Sequence, residues 1–182
     1  DSCNLFDITF LARRVIDAID QMGREAATCS LPFALFGYGT GAAAALVGAT
    51  ERPEAIAGVI SCGGRPDLAA HALNGIRIPT LQIVGGADRK TLAFNEQAIR
   101  ALAGEKRLHL VPGASHLFQE RGAFDEVVAA TGDWLESHLA PPSHAPTMTN
   151  SRRHRPSRSV TDSVPARAVA PSAPRPQYKG HR

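Results

Sequence analysis

The segment Phe36-Gly37-Tyr38-Gly39-Thr40-Gly41 constrains the fold of this chain more than any other. An apolar run, Phe33-Ala34-Leu35-Phe36, leads into it, and a small-residue run, Ala42-Ala43-Ala44-Ala45-Leu46-Val47, leads out. The pattern predicts strand, sharp turn and helix in succession, which is the setting of a G-x-S-x-G nucleophile elbow. The central residue of such a turn is held in a strained backbone conformation, which glycine at position 39 meets easily. Gly39 supplies no oxygen or sulfur for attack. Gly37 and Gly41 are expected to remove side chains that would collide with the neighbouring strand and helix.

The partners of a nucleophile follow in the order expected after such an elbow, acid and then histidine. Thr80-Leu81-Gln82-Ile83-Val84 reads as a strand running into Gly85-Gly86-Ala87-Asp88, which places a carboxylate on a loop at the strand's carboxyl end. Arg107-Leu108-His109-Leu110-Val111 runs into Pro112-Gly113-Ala114-Ser115-His116, which places an imidazole in the equivalent loop one unit later. A carboxylate so placed orients an imidazole and stabilises its protonated form. Asp88 also reads simply as the cap of a following helix, and His116 as a loop histidine. Their spacing behind successive strands favours the acid and base positions. His71, His109 and His138 have no such setting and are expected to be structural or solvent-facing.

With these segments and Gly63-Gly64-Arg65-Pro66-Asp67-Leu68 in view, the chain resembles the catalytic half of an α/β-hydrolase, in the dienelactone-hydrolase-like branch, over roughly residues 5 to 139. The resemblance implies Asp88 as acid, His116 as base and the Thr40 N–H as an oxyanion donor, with a small ester or lactone as substrate and no cofactor. Gly39 departs from the serine or cysteine of that branch. Serine hydrolases that lose the nucleophile retain only the rate given by binding and the oxyanion site, so a loss on the order of 10⁶ is expected. The expectation is a hydrolase-like chain that is inactive or severely impaired.

Counting elements leads to a second departure. Asp7 to about Arg24 reads as an amphipathic helix with Leu11, Val15, Ala18, Ile19 and Met22 at helical spacing and Asp7 as N-cap. Strands near 32–36, 56–61, 79–84 and 107–111 alternate with helices near 40–50, 66–74, 90–103 and 123–139, which predicts a parallel sheet with crossover helices. The resemblance implies further strands before the elbow, and a loop after the third of them that donates a second oxyanion N–H. Losing one such donor costs about 10²–10³ in rate. Without those strands the elbow strand is an exposed apolar edge, so an N-terminal half or a second copy of the chain is expected to cover it. A lone half-domain, a truncated gene product and a piece of a longer polypeptide all remain open on this reading.

Composition divides the chain at about residue 140. From Pro141 onward there are 8 Pro, 8 Lys or Arg and 1 acid, so the tail carries +7 while residues 1–140 carry −4 of the chain's net +3. A Pro, Arg, Ser and Ala mixture buries too little apolar surface to offset chain entropy, which predicts a disordered basic tail over 141–182 behind a domain over 1–140. Arg152, Arg153, Arg155 and Arg158 lack the interleaved aromatics that stack on bases, which argues against nucleic-acid binding. Cys3, Cys29 and Cys62 are odd in number and unrelated in spacing, which points away from a disulfide framework and towards the cytoplasm. No metal-ligand spacing and no membrane-spanning run are present in the sequence.

Other residues compete for the nucleophile's role. Cys62 ends the strand after the elbow, on the rim where ligands bind in open α/β sheets, and a thiolate near His116 would be reactive. The plainer reading is a buried cysteine. Ser61, Ser115 and the Thr40 side chain are weaker candidates. Two further function classes also fit. Gly37, Gly39 and Ala42 satisfy a G-x-G-x-x-A dinucleotide fingerprint, although the next strand ends in Ser61-Cys62 where an acid for the ribose is required. A non-catalytic ligand- or partner-binding module needs no nucleophile at all.

Overall fold

The computed structural model describes residues 7–139. Cys3 and the basic tail predicted for 141–182 lie outside the described residues. Helix α1 (Ile8–Arg24) starts where the Asp7 carboxylate accepts a hydrogen bond from the Phe10 N–H at 2.9 Å, as the sequence predicts. Val15 and Ile19 of α1 pack against α2 (Thr40–Glu51), whose run of alanines is buried on almost every side.

Strands β1 (Phe33–Tyr38), β2 (Ile56–Cys62), β3 (Thr80–Gly85) and β4 (Lys106–Val111) pair in that order, all parallel. Helix α2 crosses from β1 to β2, α4 (Arg89–Ala101) from β3 to β4, and α5 (Ala123–Leu139) follows β4. Between β2 and β3 the sequence predicts one helix near 66–74. The chain there forms a single 3₁₀ turn, Pro66–Ala69, that runs into one turn of α-helix, α3 (Ala70–Leu73). Pro66 sets the first dihedral, and the Arg65 guanidinium forks onto the Asp67 carboxylate at 2.8 and 2.7 Å, holding the turn tight.

Two apolar clusters cover opposite faces of the sheet. Residues from α1, α2, α3 and α4 bury Val59 on one face, and α5 buries Ile60, Leu81 and Ile83 on the other with Val127 and Trp134. Strands β2 and β3 are buried along nearly their whole length, as central parallel strands require, whereas β1 and β4 are only partly covered. Among the described residues β1 is an outer strand, and its Phe36 and Tyr38 side chains are 54% and 42% exposed. Because all four strands run the same way, the loops after β1, β2, β3 and β4 gather on one rim of the sheet.

Candidate active site

The turn after β1 is an elbow in geometry. Gly39 has φ 56° and ψ −121° and caps α2. Its N–H donates to the Cys62 carbonyl at 3.3 Å, and its own carbonyl accepts from the N–H groups of Arg65 at 3.1 Å and Ala42 at 3.3 Å, so the residue is clamped on both sides. A Cβ at Gly37 would lie 2.5 Å from the Ala42 Cα and the Gly41 carbonyl oxygen, so only glycine lets the turn close on α2. The collision expected at Gly41 does not exist: a Cβ there meets nothing within 4 Å, because the first turn of α2 presents that Cα to open space. A Cβ at Gly39 likewise meets nothing within 4 Å, leaving backbone strain as the sole obstacle to a side chain at that position.

The loops after β3 and β4 bring Asp88 and His116 into direct contact, with Asp88 Oδ2 at 2.8 Å from His116 Nδ1. Asp88 is also the N-cap of α4, its Oδ1 accepting from the Thr91 N–H at 3.1 Å. The loops lie backbone against backbone: the Ala114 and Ser115 carbonyls occupy the space a Cβ on Gly85 would need. Hydrogen bonds from Ala87 N to the Ala114 carbonyl (2.9 Å) and from Gly86 N to the Val111 carbonyl (2.8 Å) lock them together. The Tyr38 hydroxyl donates to the His116 carbonyl at 2.8 Å, tying the histidine loop to the elbow strand. Just beyond, Phe118 takes a left-handed φ of 52° and plants its ring in the α5 cluster.

Burial pushes the Asp88 carboxyl up, but the hydrogen bonds from Thr91 and His116 and the charge of His116 outweigh it and hold the group below its usual value. An ionised carboxylate only accepts, so Nδ1 of His116 must be the donor and Nε2 is the nitrogen left to act. A cavity of about 400 Å³ is lined by Gly39, Thr40, Asp88 and His116, with the Arg65 guanidinium 4.9 Å over the Phe94 ring along its wall. Thr40 is the first residue of α2, where N–H groups lack an intrahelical acceptor.

Apart from Thr40, the other candidates are not assembled with this group. Cys62 is 3% exposed, does not line the cavity, and burial pushes its thiol up to about 11. Ser61 is wholly buried beneath the loop after β2 and finds no hydrogen-bond partner among the described residues. Ser115 does not line the cavity. His109 pairs with Glu126 at 3.0 Å, His138 stacks on Trp134 at 4.0 Å, and His71 lines a groove beside α1. Among the described residues no group of three His, Cys, Asp or Glu is placed to hold a metal, and no helix is long and apolar enough to cross a membrane. Sequence reasoning missed Tyr38, Arg65 and Phe94. Tyr38 at least stood inside the elbow motif, whereas nothing in the sequence joins Arg65 to Phe94.

Comparison with known proteins agrees with this fold. A dienelactone hydrolase from Anabaena variabilis is 46% identical in sequence and superposes with a TM-score of 0.73, covering 74% of this chain and 62% of that one. A monoacylglycerol lipase of Paleococcus ferrophilus shares the fold at 17% identity and a TM-score of 0.60, covering 72% of this chain and 76% of the lipase. Two curated proteins from strains of Mycobacterium tuberculosis, each named "Putative phosphoribosyl transferase", are 44% identical over 139 residues, 76% of this chain and 31% of theirs. The chain thus spans about a third of the length of the curated relatives it matches. The model of the dienelactone hydrolase family matches residues 9–140. Four parallel strands, an elbow after the first and this match together place the chain in the dienelactone hydrolase family, with the α/β-hydrolase fold.

Proposed function

We propose that the rim cavity is an ester- or lactone-binding site of hydrolase type that has lost covalent turnover. Asp88 is its acid, His116 its base and the Thr40 N–H an oxyanion donor, while Gly39 occupies the nucleophile's position. One observation carries the reading: an Asp88–His116 pair at 2.8 Å lines the same cavity as an elbow whose central residue has no side chain. The hydrolysis that remains is severely impaired, and the site's main capacity is to bind a small ester or lactone. Any N-terminal half or second copy would lie along β1, where Phe36 and Tyr38 are exposed.

The alternatives have less support. The dinucleotide fingerprint is explained without a nucleotide, because Gly37 is needed for the turn to close on α2 and β2 carries no terminal acid. Phosphoribosyl transfer belongs to the name of proteins of which this chain spans 31%, and nothing in the Asp88–His116 arrangement calls for it. Two free cysteines among the described residues, Cys29 exposed and Cys62 buried, fit a reducing compartment such as the cytoplasm, which fluorescence microscopy of the tagged protein would test.

The deciding experiment is Gly39→Ser in the full-length polypeptide with p-nitrophenyl acetate as probe. The variant is expected to gain esterase activity by a factor approaching 10⁶, on the order of what loss of the nucleophile costs, and adding His116→Ala should remove the gain. A Gly39→Ser variant that keeps its far-ultraviolet circular dichroism yet stays inert refutes the reading.

A further inference from the structure

We infer that the wild-type site turns esters over slowly by single displacement: His116 Nε2 takes a proton from a water seated beside the Gly39 Cα, and that water attacks the acyl carbon directly. This deepens the function proposed above and rests on it.

Three observations converge. The position a nucleophile's Cβ would take is open, with no atom of the described residues within 4 Å, and Gly39 borders the same cavity as His116 and Thr40. The imidazole is oriented as a base would be: Nδ1 is committed to the ionised Asp88 carboxylate, its carbonyl is held by the Tyr38 hydroxyl, and Nε2 has no partner among the described residues. Of the other candidate nucleophiles among the described residues, Cys62 and Ser115 do not line the cavity, which leaves the Thr40 hydroxyl as the competitor within it. A water beside Gly39 finds the polar partners that an ordered water needs in Nε2 and in the bound ester, while the first N–H of α2 faces the ester oxygen.

The step balances without a co-reactant. The water oxygen forms a bond to the acyl carbon as its proton passes to Nε2, and the tetrahedral oxyanion faces the Thr40 N–H. The bond to the leaving oxygen then breaks, and the proton on Nε2 passes to that oxygen. Acid and alcohol leave, and the imidazole returns to its neutral form. No bond to the protein forms at any stage.

General-base catalysis of this kind contributes about 10²–10⁴-fold. The test compares the full-length wild-type protein with His116→Ala and Gly39→Ala on p-nitrophenyl acetate, with intact-protein mass read on samples quenched during turnover. Slow wild-type turnover should fall by about 10²–10⁴ in His116→Ala. It should also fall in Gly39→Ala, whose methyl takes the water's place, and no acylated protein should accumulate. A rate that His116→Ala leaves unchanged, a Gly39→Ala rate equal to wild type, or acylated protein in the quenched samples, at Thr40, His116 or any other residue, each overturns the inference. The Gly39→Ser variant separates the two levels. If it is active while the wild-type rate ignores His116, single displacement falls and the hydrolase-type site stands; if it is folded and inert, both fall.

Discussion

Three glycines of the elbow, two residues apart, should respond to alanine in three different ways, because a new Cβ meets different surroundings at each. At Gly37 the new Cβ would lie 2.5 Å from the Ala42 Cα and the Gly41 carbonyl, while ordinary contact starts at 3.4 Å, so the first turn of α2 must withdraw by about 0.9 Å. It has little room to do so, because Ala42, Ala43 and Leu46 are wholly buried. Overpacking costs about 1–3 kcal/mol, and a contact made with backbone on both sides belongs at the upper end. At Gly39 nothing is struck, but φ 56° with ψ −121° is strained for an L-residue, at a cost of about 1–3 kcal/mol. D-alanine at 39, introduced by chemical ligation, finds its own favoured region there and should remove that cost. At Gly41, inside α2 and facing open space, alanine should stabilise by about 0.5–1 kcal/mol. The assay is urea unfolding followed by the fluorescence of Trp134, the sole tryptophan and 4% exposed. If Gly37→Ala and Gly41→Ala shift the midpoint alike, the close packing of the elbow on α2 is refuted. If D-alanine at 39 is no better than L-alanine, the strain argument is refuted.

Asp88→Asn should weaken the pH dependence of stability on the acid side. The Asp88 carboxyl lies lower in the fold than its ordinary 3.8, so its contribution is complete above that value and is lost as pH falls through the depressed folded value; urea titrations through the acid range should show a shallower slope in the variant than in wild type, and equal slopes would refute the contribution. In a Gly39→Ser background the same substitution should lower kcat by about 10⁴, because Asn holds the wrong imidazole tautomer. In a Cys3→Ser background, Ellman's reagent should label the exposed Cys29 promptly and the buried Cys62, whose thiol is pushed up to about 11, only on unfolding; prompt double labelling would show that β2 opens locally. Among the described residues Gln82 is wholly buried and neither of its amide atoms finds a partner, so Gln82→Met should raise stability by about 1–3 kcal/mol; a loss of similar size would mean that buried water satisfies the amide.

How much of this was legible in the sequence depended on how locally each feature is determined. The four strands were legible because each is an apolar run bounded by glycine or proline, and parallel strands buried on both faces are written that way. Asp88 and His116 were legible because each follows such a strand directly, and topology then carries both to one rim. The freedom of Gly41 was not legible, since it depends on the direction in which α2 leaves the turn. Nor was the bond from Tyr38 to the His116 carbonyl, which joins residues 78 apart. The 3₁₀ turn at Pro66–Ala69 depends on an Arg65–Asp67 pair that competes with ordinary helix formation, and propensity alone reads straight through it.

The persistence of the Asp88–His116 pair beside a glycine has a structural explanation as well as a chemical one, and the two separate at a single atom. The Asp88 carboxylate caps α4 through Thr91 whether or not a histidine is present, and the His116 backbone is tied to Tyr38 whatever its side chain does. A carboxylate kept for the cap and a loop kept for its anchors would leave the pair in contact without any catalysis. Nε2 contributes to neither role. It bonds to nothing among the described residues, and His116 lines the cavity, so replacing the imidazole while the loop and the cap stay in place separates chemistry from architecture. His116→Gln or His116→Asn keeps a polar side chain on the same loop and leaves the Tyr38 bond and the α4 cap in place. If either variant retains wild-type stability but loses the slow turnover, the imidazole is held for what its free nitrogen does; if turnover is unmoved, the pair is explained by the cap and the loop alone.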